Sequence, residues 1–240
     1  MSHRDVSEPD ATRGTPVGRR VVLGMVGLGA LGVALGRPAS EAVTSVASNA
    51  PVIADVLPAA GGFRYYSVVS TDPMLTEADY TLRVGGLVSK PATLTFADLA
   101  ALPQTQMTKD FQCVTGWRVD DVPWSGVLLS DVLSNAGADT SAPAVLFTSH
   151  DGVYTESLTM EQAMRPDILV ASTMWGKPIT NEHGGPVRLY VAPMYGYKSL
   201  KWLGGIEVAP TVRPGYWEMA GYDVDAWVGR SNGRTDDPIA

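Results

Sequence analysis

The alternation of apolar and polar residues along the chain predicts a series of short strands. The segment 80–88 (YTLRVGGLV) alternates with the period of two that is typical of a half-buried strand. The segments 108–114 (TKDFQCV) and 117–124 (WRVDDVPW) are predicted strands on either side of a turn at Thr115 and Gly116. In the segment 143–158, Asp151 and Gly152 provide the turn of a predicted hairpin. Further strands are predicted within 167–179, 186–193 and 200–210, and the last two are joined by the loop MYGYKS.

Helical patterns are few and short. The segment 95–103 (TFADLAALP) has Thr95 as a helix N-cap and Pro103 as its stop, and 158–166 (LTMEQAMRP) ends before Pro166. The segment 125–138 (SGVLLSDVLSNAGA) has helical spacing and a glycine near its end. Short helices that connect many strands predict an α+β fold that is mostly β.

The first 60 residues differ in composition from the rest. Arg19 and Arg20 precede an uncharged apolar stretch of about 16 residues, which is shorter than the roughly 20 residues of a membrane span. We therefore interpret 1–38 as a twin-arginine-like export signal or an N-terminal anchor. Residues 39–60 are expected to form a linker, 61–228 a single domain and 229–240 a polar tail. The predicted location is the periplasmic or cell-envelope side of the cytoplasmic membrane, with membrane association through the N-terminal segment.

The overall charge and the residue content narrow the classes of function. The formal net charge of −7 argues against a nucleic-acid-binding surface. The spacing of histidine and cysteine matches no zinc motif, and the mature region has no dinucleotide fingerprint or P-loop.

Cys113 is the one cysteine of the chain. A lone thiol is compatible with core packing, with a nucleophile activated by a base such as His183, or with a soft metal centre. The local sequence does not decide among these three.

A second segment, 182–208, carries features of a ligand-binding loop. Gly184 and Gly185 permit a close backbone approach, and Arg188 offers a planar fork for phosphate. The loop that follows is expected to present Lys198 and Lys201 to an anionic, ring-bearing cofactor. A basic edge hairpin with solvated lysines is the alternative interpretation.

These two segments together resemble the sulfite oxidase family of molybdopterin-dependent oxidoreductases, and its minimal bacterial periplasmic members most. The similarity lies in 113–133 (CVTGWRVDDVPWSGVLLSDVL) and in the spacing of His183, Arg188 and the SLK that ends at Lys201. The segments 63–68 (FRYYSV), 80–88 and 95–103 also fall where the family has them. The resemblance covers roughly residues 60–225.

The resemblance implies a role for each matching residue. Cys113 would be the thiolate ligand of molybdenum in a Mo-molybdopterin cofactor. The implied cofactor-binding residues are Tyr66, Ser67, Ser149, His183, Arg188, Ser199, Leu200 and Lys201. On the substrate side, Arg118 would bind an anion and Tyr222, 21 residues after Lys201, would be an active-site tyrosine. Packing of Tyr222 beside Trp217 and Trp227 is the alternative.

The implied activity is a two-electron oxygen-atom transfer on a small substrate, either sulfite-type oxidation or reduction of an S- or N-oxide. We expect a monomer, because the dimerisation domain of sulfite oxidases does not follow Tyr222 in this sequence. Because no haem motif is present, we also expect it to exchange electrons with a separate haem- or quinone-linked protein. Two alternatives stay open: a cell-wall cysteine hydrolase or transpeptidase using Cys113 and His183, and a non-catalytic pterin-binding member of the fold.

Overall fold

The computed structural model describes residues 15–17 and 63–234. The predicted export signal or anchor, apart from residues 15–17, and the predicted linker 39–60 lie outside the described residues. No helix among the described residues has the length and apolar character needed to cross a membrane.

The described chain is mostly strand, and its few helices are short, which confirms the α+β prediction. The strands in chain order are β1 (Thr15–Val17), β2 (Arg64–Tyr66), β3 (Thr81–Gly86), β4 (Ala92–Thr95), β5 (Gln104–Gln112), β6 (Arg118–Leu128), β7 (Ala144–Ser149), β8 (Thr155–Thr159), β9 (Ile168–Met174), β10 (Lys177–Pro178), β11 (Arg188–Val191) and β12 (Leu203–Ala209). The helices are α1 (Phe96–Ala101), α2 (Leu129–Asn135) and α3 (Met160–Ala163). Single 3₁₀ turns occupy Asn181–His183, Gly196–Lys198 and Glu218–Ala220.

Ten of the twelve described strands form two five-stranded sheets, and β1 and β2 pair in parallel as a separate two-stranded sheet. One has the order β4-β3-β12-β7-β8, in which only β3 and β12 are parallel. The other has the order β10-β9-β6-β5, with β11 also paired to β9. The strands β11 and β12 therefore belong to different sheets, so the basic edge hairpin considered for this region is wrong. The MYGYKS loop passes from one sheet to the other.

Local capping explains two of the three helices. Thr95 accepts a hydrogen bond from the backbone N–H of Asp98, and the Asp98 carboxylate accepts one from the Thr95 backbone in return. Thr159 and Gln162 form the same reciprocal arrangement at α3. Such capping boxes satisfy N–H groups that the first helical turn leaves without partners.

Helix α2 is shorter than the sequence predicts. Residues Ser125–Leu128 continue strand β6, where they pair with β5 on one side and β9 on the other. Hydrogen bonds to two neighbouring strands outweigh the helical spacing of this segment, so the helix begins only at Leu129.

A buried aromatic cluster lies in the second sheet. Trp124 of β6 and Tyr190 of β11 stack with ring centroids 4.2 Å apart, and Phe63 lies 4.8 Å from Phe111. Stacked and tilted aromatic pairs contribute about 0.5–1.5 kcal/mol each beyond the area they bury. This packed aromatic cluster therefore supports the backbone of the segment that follows Phe111 and contains Cys113.

Candidate active site

One pocket brings together residues from distant parts of the sequence. It has a volume of about 140 Å³. Its lining comes from the segments 63–68, 111–117 and 196–202 (without Lys198), and from Asp151, Tyr154, His183, Arg188, Trp217 and Tyr222. Most of the residues predicted for the site lie on its surface: Tyr66, Ser67, Cys113, His183, Arg188, Ser199, Leu200, Lys201 and Tyr222.

Cys113 follows strand β5 and begins a tight turn. Its backbone N–H donates to the Trp117 carbonyl at 2.9 Å, and its own carbonyl accepts from Gly116 at 3.0 Å. The half-buried thiol accepts a hydrogen bond from the Thr115 hydroxyl at 3.2 Å. Burial raises the pKa of the Cys113 thiol, while the Thr115 hydrogen bonds and the charges of Arg234 and Arg64 act in the opposite direction. The turn thus holds a protonatable sulfur at the pocket surface.

Aromatic side chains line the pocket near this sulfur. Trp117 donates from its indole N–H to the Tyr66 hydroxyl at 3.0 Å, and the two rings are stacked. Tyr222 contacts Tyr197 and Trp217, with centroids 5.4 Å and 5.5 Å away. Burial, and next the Cys113 charge, raise the pKa values of Tyr66 and Tyr222, so both hydroxyls are neutral donors at physiological pH.

Arg188, at the start of β11, ties two stretches of the pocket together. Its guanidinium donates to the carbonyls of His183 at 2.6 Å and of Ser199 at 2.7 Å. It is buried, and burial lowers its pKa to about 10. A buried cation whose hydrogen bonds go to backbone carbonyls leaves a positive charge that an anion can neutralise.

The loop that contains Ser199, Leu200 and Lys201 packs against β11. The Ser199 hydroxyl accepts from the Val191 backbone at 3.0 Å, and the Leu200 carbonyl accepts from the Leu189 backbone at 2.8 Å. These bonds hold the loop backbone in place beside Arg188.

Lys201 adds a second cationic group to this side of the pocket. Its ammonium donates to the Glu182 carbonyl at 3.0 Å and lies 4.4 Å from the Trp202 ring centroid. Burial, and next the charge of Arg188, lower its pKa to about 7. Lys201 packs closely on Gly184, which has a φ of 92° and where a Cβ would come within 2.4 Å of the Lys201 Cβ. A side chain at position 184 would therefore displace the lysine.

His183 and Ser67 also line this pocket. His183 is fully buried, and its ring lies edge-on to Phe63 with centroids 4.7 Å apart. The Ser67 hydroxyl donates to Asp72 at 2.5 Å. Both side chains are thus held in place by neighbours within the fold.

Two predicted site residues do not line the pocket. Ser149 is buried and donates to Asp151, which is itself a lining residue, so Ser149 lies one contact away. Arg118 is about two-fifths exposed and pairs with Asp120 at 2.6 Å and with Asp110 at 3.6 Å. The structure therefore places Arg118 in a surface ion pair.

The side chain of Lys198 does not lie where the sequence predicts it. It is buried and bound to Glu156 and Glu218, away from the pocket lining, whereas the sequence suggested that it faces a ligand. The burial of two acidic partners far away in sequence is the physical reason, and no local pattern reveals it.

Several lining residues were missed by the sequence reasoning. Arg64, Thr115 and Trp217 line the pocket, and Arg64 acts on the Cys113 thiol through its charge. Thr115 lies two residues after Cys113, a spacing at which a hydroxyl can reach the sulfur, so this signal was available. Arg234, within the predicted polar tail, donates to the Val114 carbonyl beside Cys113. Nothing in the composition of the tail indicates that contact.

Comparison with known proteins identifies the family. Residues 69–217 match the family described as the oxidoreductase molybdopterin binding domain. The chain belongs to this family. As a family member it is an oxidoreductase with a molybdopterin-binding domain, and the cysteine hydrolase considered from the sequence is wrong.

Individual relatives of this molybdopterin-binding oxidoreductase agree with that assignment. It is 38% identical over 151 residues to the uncharacterized oxidoreductase YuiH of Bacillus subtilis (strain 168), covering 62% of this chain and 75% of YuiH. It is 31% identical over 159 residues to the protein-methionine-sulfoxide reductase catalytic subunit MsrP of Xanthomonas axonopodis pv. citri, covering 58% of this chain and 49% of MsrP.

Among solved structures, the sulfane dehydrogenase SoxCD from Paracoccus pantotrophus is similar in fold. The TM-score is 0.55 at 26% sequence identity, and the match covers 60% of this chain and 41% of that chain. This oxidoreductase thus spans about half the length of MsrP and less than half of the SoxCD chain.

Proposed function

We propose that this oxidoreductase binds Mo-molybdopterin and catalyses two-electron oxygen-atom transfer, reducing a small S-oxide of the methionine sulfoxide type. The observation that carries the proposal is the placement of the Cys113 thiol and of two cationic side chains, the buried Arg188 and the partly buried Lys201, on one pocket.

The donor set fits such a cofactor at both of its ends. A thiolate is a soft ligand that suits molybdenum, and Arg188 and Lys201 suit a phosphate. Cys113 would hold the metal, while His183, Arg188 and the backbone of Ser199–Lys201 would hold the pterin and its phosphate. When bound, the group would supply the metal that accepts or releases the oxygen atom and two electrons.

The chain's own residues would prepare the site for this chemistry. Thr115 orients the Cys113 sulfur, and the tie from Arg188 to His183 and Ser199 keeps the cofactor loop closed against β11. Tyr66 and Tyr222 keep neutral hydroxyls beside the pocket and can donate a hydrogen bond, or deliver a proton, to an oxygen atom there.

The choice of an S-oxide over sulfite rests on the pocket wall and on the relatives. Aromatic side chains such as Tyr66, Trp117 and Tyr222 line the pocket together with Cys113, and sulfur groups make favourable contacts with aromatic rings. Arg118, the residue expected to bind an anion, lies in a surface ion pair. MsrP is by its name a protein-methionine-sulfoxide reductase. A second relative, the putative protein-methionine-sulfoxide reductase subunit YedZ1 of Azospira oryzae, is 34% identical over 154 residues, and the match covers 64% of this chain and 57% of YedZ1.

Export and an electron partner are part of the same proposal. The Arg19–Arg20 pair before an apolar stretch supports transport of a folded, cofactor-loaded protein across the cytoplasmic membrane. A separate haem- or quinone-linked redox protein would then exchange single electrons with the site. A fusion of residues 1–60 to a reporter should be exported, and replacing both arginines by lysine should abolish export.

The decisive experiment combines metal analysis with turnover. Protein from a molybdenum-replete host should contain about one molybdenum per chain, and Cys113→Ser should lose most of it. With a reduced viologen donor, methionine sulfoxide should be reduced, whereas sulfite with ferricyanide should give little turnover. Intact folded protein without molybdenum would overturn the cofactor proposal, and faster sulfite oxidation would overturn the substrate proposal.

A further inference from the structure

Three ionisable side chains form a buried cluster beside the pocket. The Lys198 ammonium lies 2.7 Å from the Glu156 carboxylate and also binds Glu218, and the three side chains are at most 1% exposed. The second oxygen of Glu218 accepts from the Gly215 backbone at 2.5 Å. Gly215 itself packs on the Glu156 carboxyl, since a Cβ there would meet its Cδ at 2.8 Å.

The members of the cluster come from three different elements. Glu156 lies on β8, Lys198 ends the 3₁₀ turn of the MYGYKS loop, and Glu218 begins the 3₁₀ turn after Trp217. Because one ammonium binds both carboxylates, it fixes these elements relative to one another.

Each end of the cluster continues directly into the pocket. Lys198 is followed by Ser199, whose carbonyl accepts a hydrogen bond from Arg188, so this end leads into the loop Ser199–Lys201, here called the cofactor loop. Glu218 follows Trp217 and precedes Tyr222, so the other end leads into the aromatic wall. Tyr154, which also lines the pocket, adds a parallel tie by donating to the Tyr197 carbonyl at 2.7 Å.

Stability alone is a poor explanation for such a cluster. Taking the charges of Lys198 and Glu218 out of water is costly, and well-packed apolar replacements of buried ion pairs are often neutral or stabilising. The best-attested use of buried charges is to specify one arrangement of the elements that carry them. The elements joined here are two walls of the same pocket.

We propose that Glu156, Lys198 and Glu218 are positioning residues that set the distance between the cofactor loop and the wall formed by Trp217 and Tyr222, and so the width of the access to Cys113. That this access serves an S-oxide rests on the proposed function. The width itself does not, and it can be measured without cofactor or substrate.

Thiol labelling measures the width because Cys113 is the only cysteine. Full-length protein from a host unable to make molybdopterin would be labelled with iodoacetamide and with a bulky maleimide, and the ratio of the two rates compared. In Lys198→Met the bulky reagent should gain about tenfold over the small one, equivalent to a barrier lower by about 1.4 kcal/mol. Because both reagents react with the same thiolate, a change in the thiolate fraction of Cys113 alters both rates equally and leaves their ratio unchanged.

Matched variants separate positioning from a loss of stability. Leu133→Ala removes a buried side chain of α2 and destabilises the fold without touching the cluster, so its labelling ratio should equal that of the wild type. Glu218→Gln keeps the size of the side chain and should raise the ratio in the same direction as Lys198→Met. This second variant decides the matter if Lys198→Met does not fold.

Kinetics of the loaded protein give an independent readout. A positioning role predicts that Glu218→Gln lowers kcat by roughly tenfold to a hundredfold with normal molybdenum content, since a displacement of about 1 Å can have that effect. An unchanged labelling ratio in folded Glu218→Gln would overturn the inference whether or not the protein reduces S-oxides. Absence of molybdenum with an altered ratio would instead overturn only the proposed function.

Discussion

The protonation of Glu156 leads to a definite prediction about stability and pH. The carboxyl groups of Glu156 and Glu218 share the single ammonium of Lys198, and the three side chains are at most 1% exposed. Burial is the main cause that raises the pKa of Glu156 from 4.5 to about 8, with Lys198 opposing it and Glu218 adding to it. Glu156 is therefore protonated in the folded protein at neutral pH and ionised in the unfolded chain.

The sign and size of the effect follow from linkage. Below pH 4.5 neither state is ionised at this position, so the contribution of Glu156 to stability is complete. As the pH rises from 4.5 to about 8, only the unfolded state loses the proton, and the free energy of unfolding falls. At about 1.4 kcal/mol per pH unit, the total decrease is on the order of 5 kcal/mol.

The assay compares the wild type with Glu156→Gln. Glutamine has the shape of a protonated glutamate and does not titrate, so other groups cancel in the difference between the two proteins. Guanidinium unfolding at pH 5, 6, 7 and 8 should show the variant gaining on the wild type by about 1.4 kcal/mol per pH unit. Two unfolding curves that stay parallel from pH 5 to 8 would refute the assigned protonation state.

Three further predictions concern the pocket and its surroundings. Lys201, whose pKa is lowered to about 7, should gain a proton when an anion binds beside it. Binding of pyrophosphate to cofactor-free protein should therefore weaken as the pH rises from 7 to 9, and calorimetry in buffers of different ionisation enthalpy measures both the affinity and the proton uptake. Gly184→Ala should destabilise the fold by about 1–3 kcal/mol and reduce molybdenum content, because position 184 has a φ of 92° and faces the Lys201 Cβ; thermal unfolding and metal analysis test this. Arg118→Ala should change the free energy of unfolding by less than about 0.5 kcal/mol and leave the KM unchanged, because its ion pairs lie at the surface; a raised KM in steady-state kinetics would contradict its placement.

Local sequence patterns predicted much of the fold. The period of two identified β3, the turn at Thr115 and Gly116 identified β5 and β6 on either side of it, and the Asp151–Gly152 turn identified the β7–β8 hairpin. The Thr95 cap predicted α1 because a capping box depends only on residues close in sequence. Features that depend on distant partners were missed, such as the separation of β11 and β12 into two sheets and the late start of α2.

The same distinction applies to the candidate site. Cys113, Arg188 and Lys201 lie in contiguous motifs with fixed spacing, and all three line the pocket. The directions of Arg118 and Lys198 depend instead on which carboxylates lie near them in space. The charge of a basic residue in a motif can therefore be assigned to a ligand only after the acidic side chains near it in space are known.

The electrostatics of the pocket connect cofactor binding with folding. Burial lowers the pKa values of both Arg188 and Lys201, and the charge of Arg188 lowers that of Lys201 further. The hydrogen bonds of Arg188 to the His183 and Ser199 carbonyls offset only part of that cost. An anionic group between the two would relieve the repulsion and restore the charged form of the lysine. Because a ligand that binds only the folded state stabilises it, loading of the pocket should raise the unfolding temperature of this enzyme, and the gain should depend on both cations.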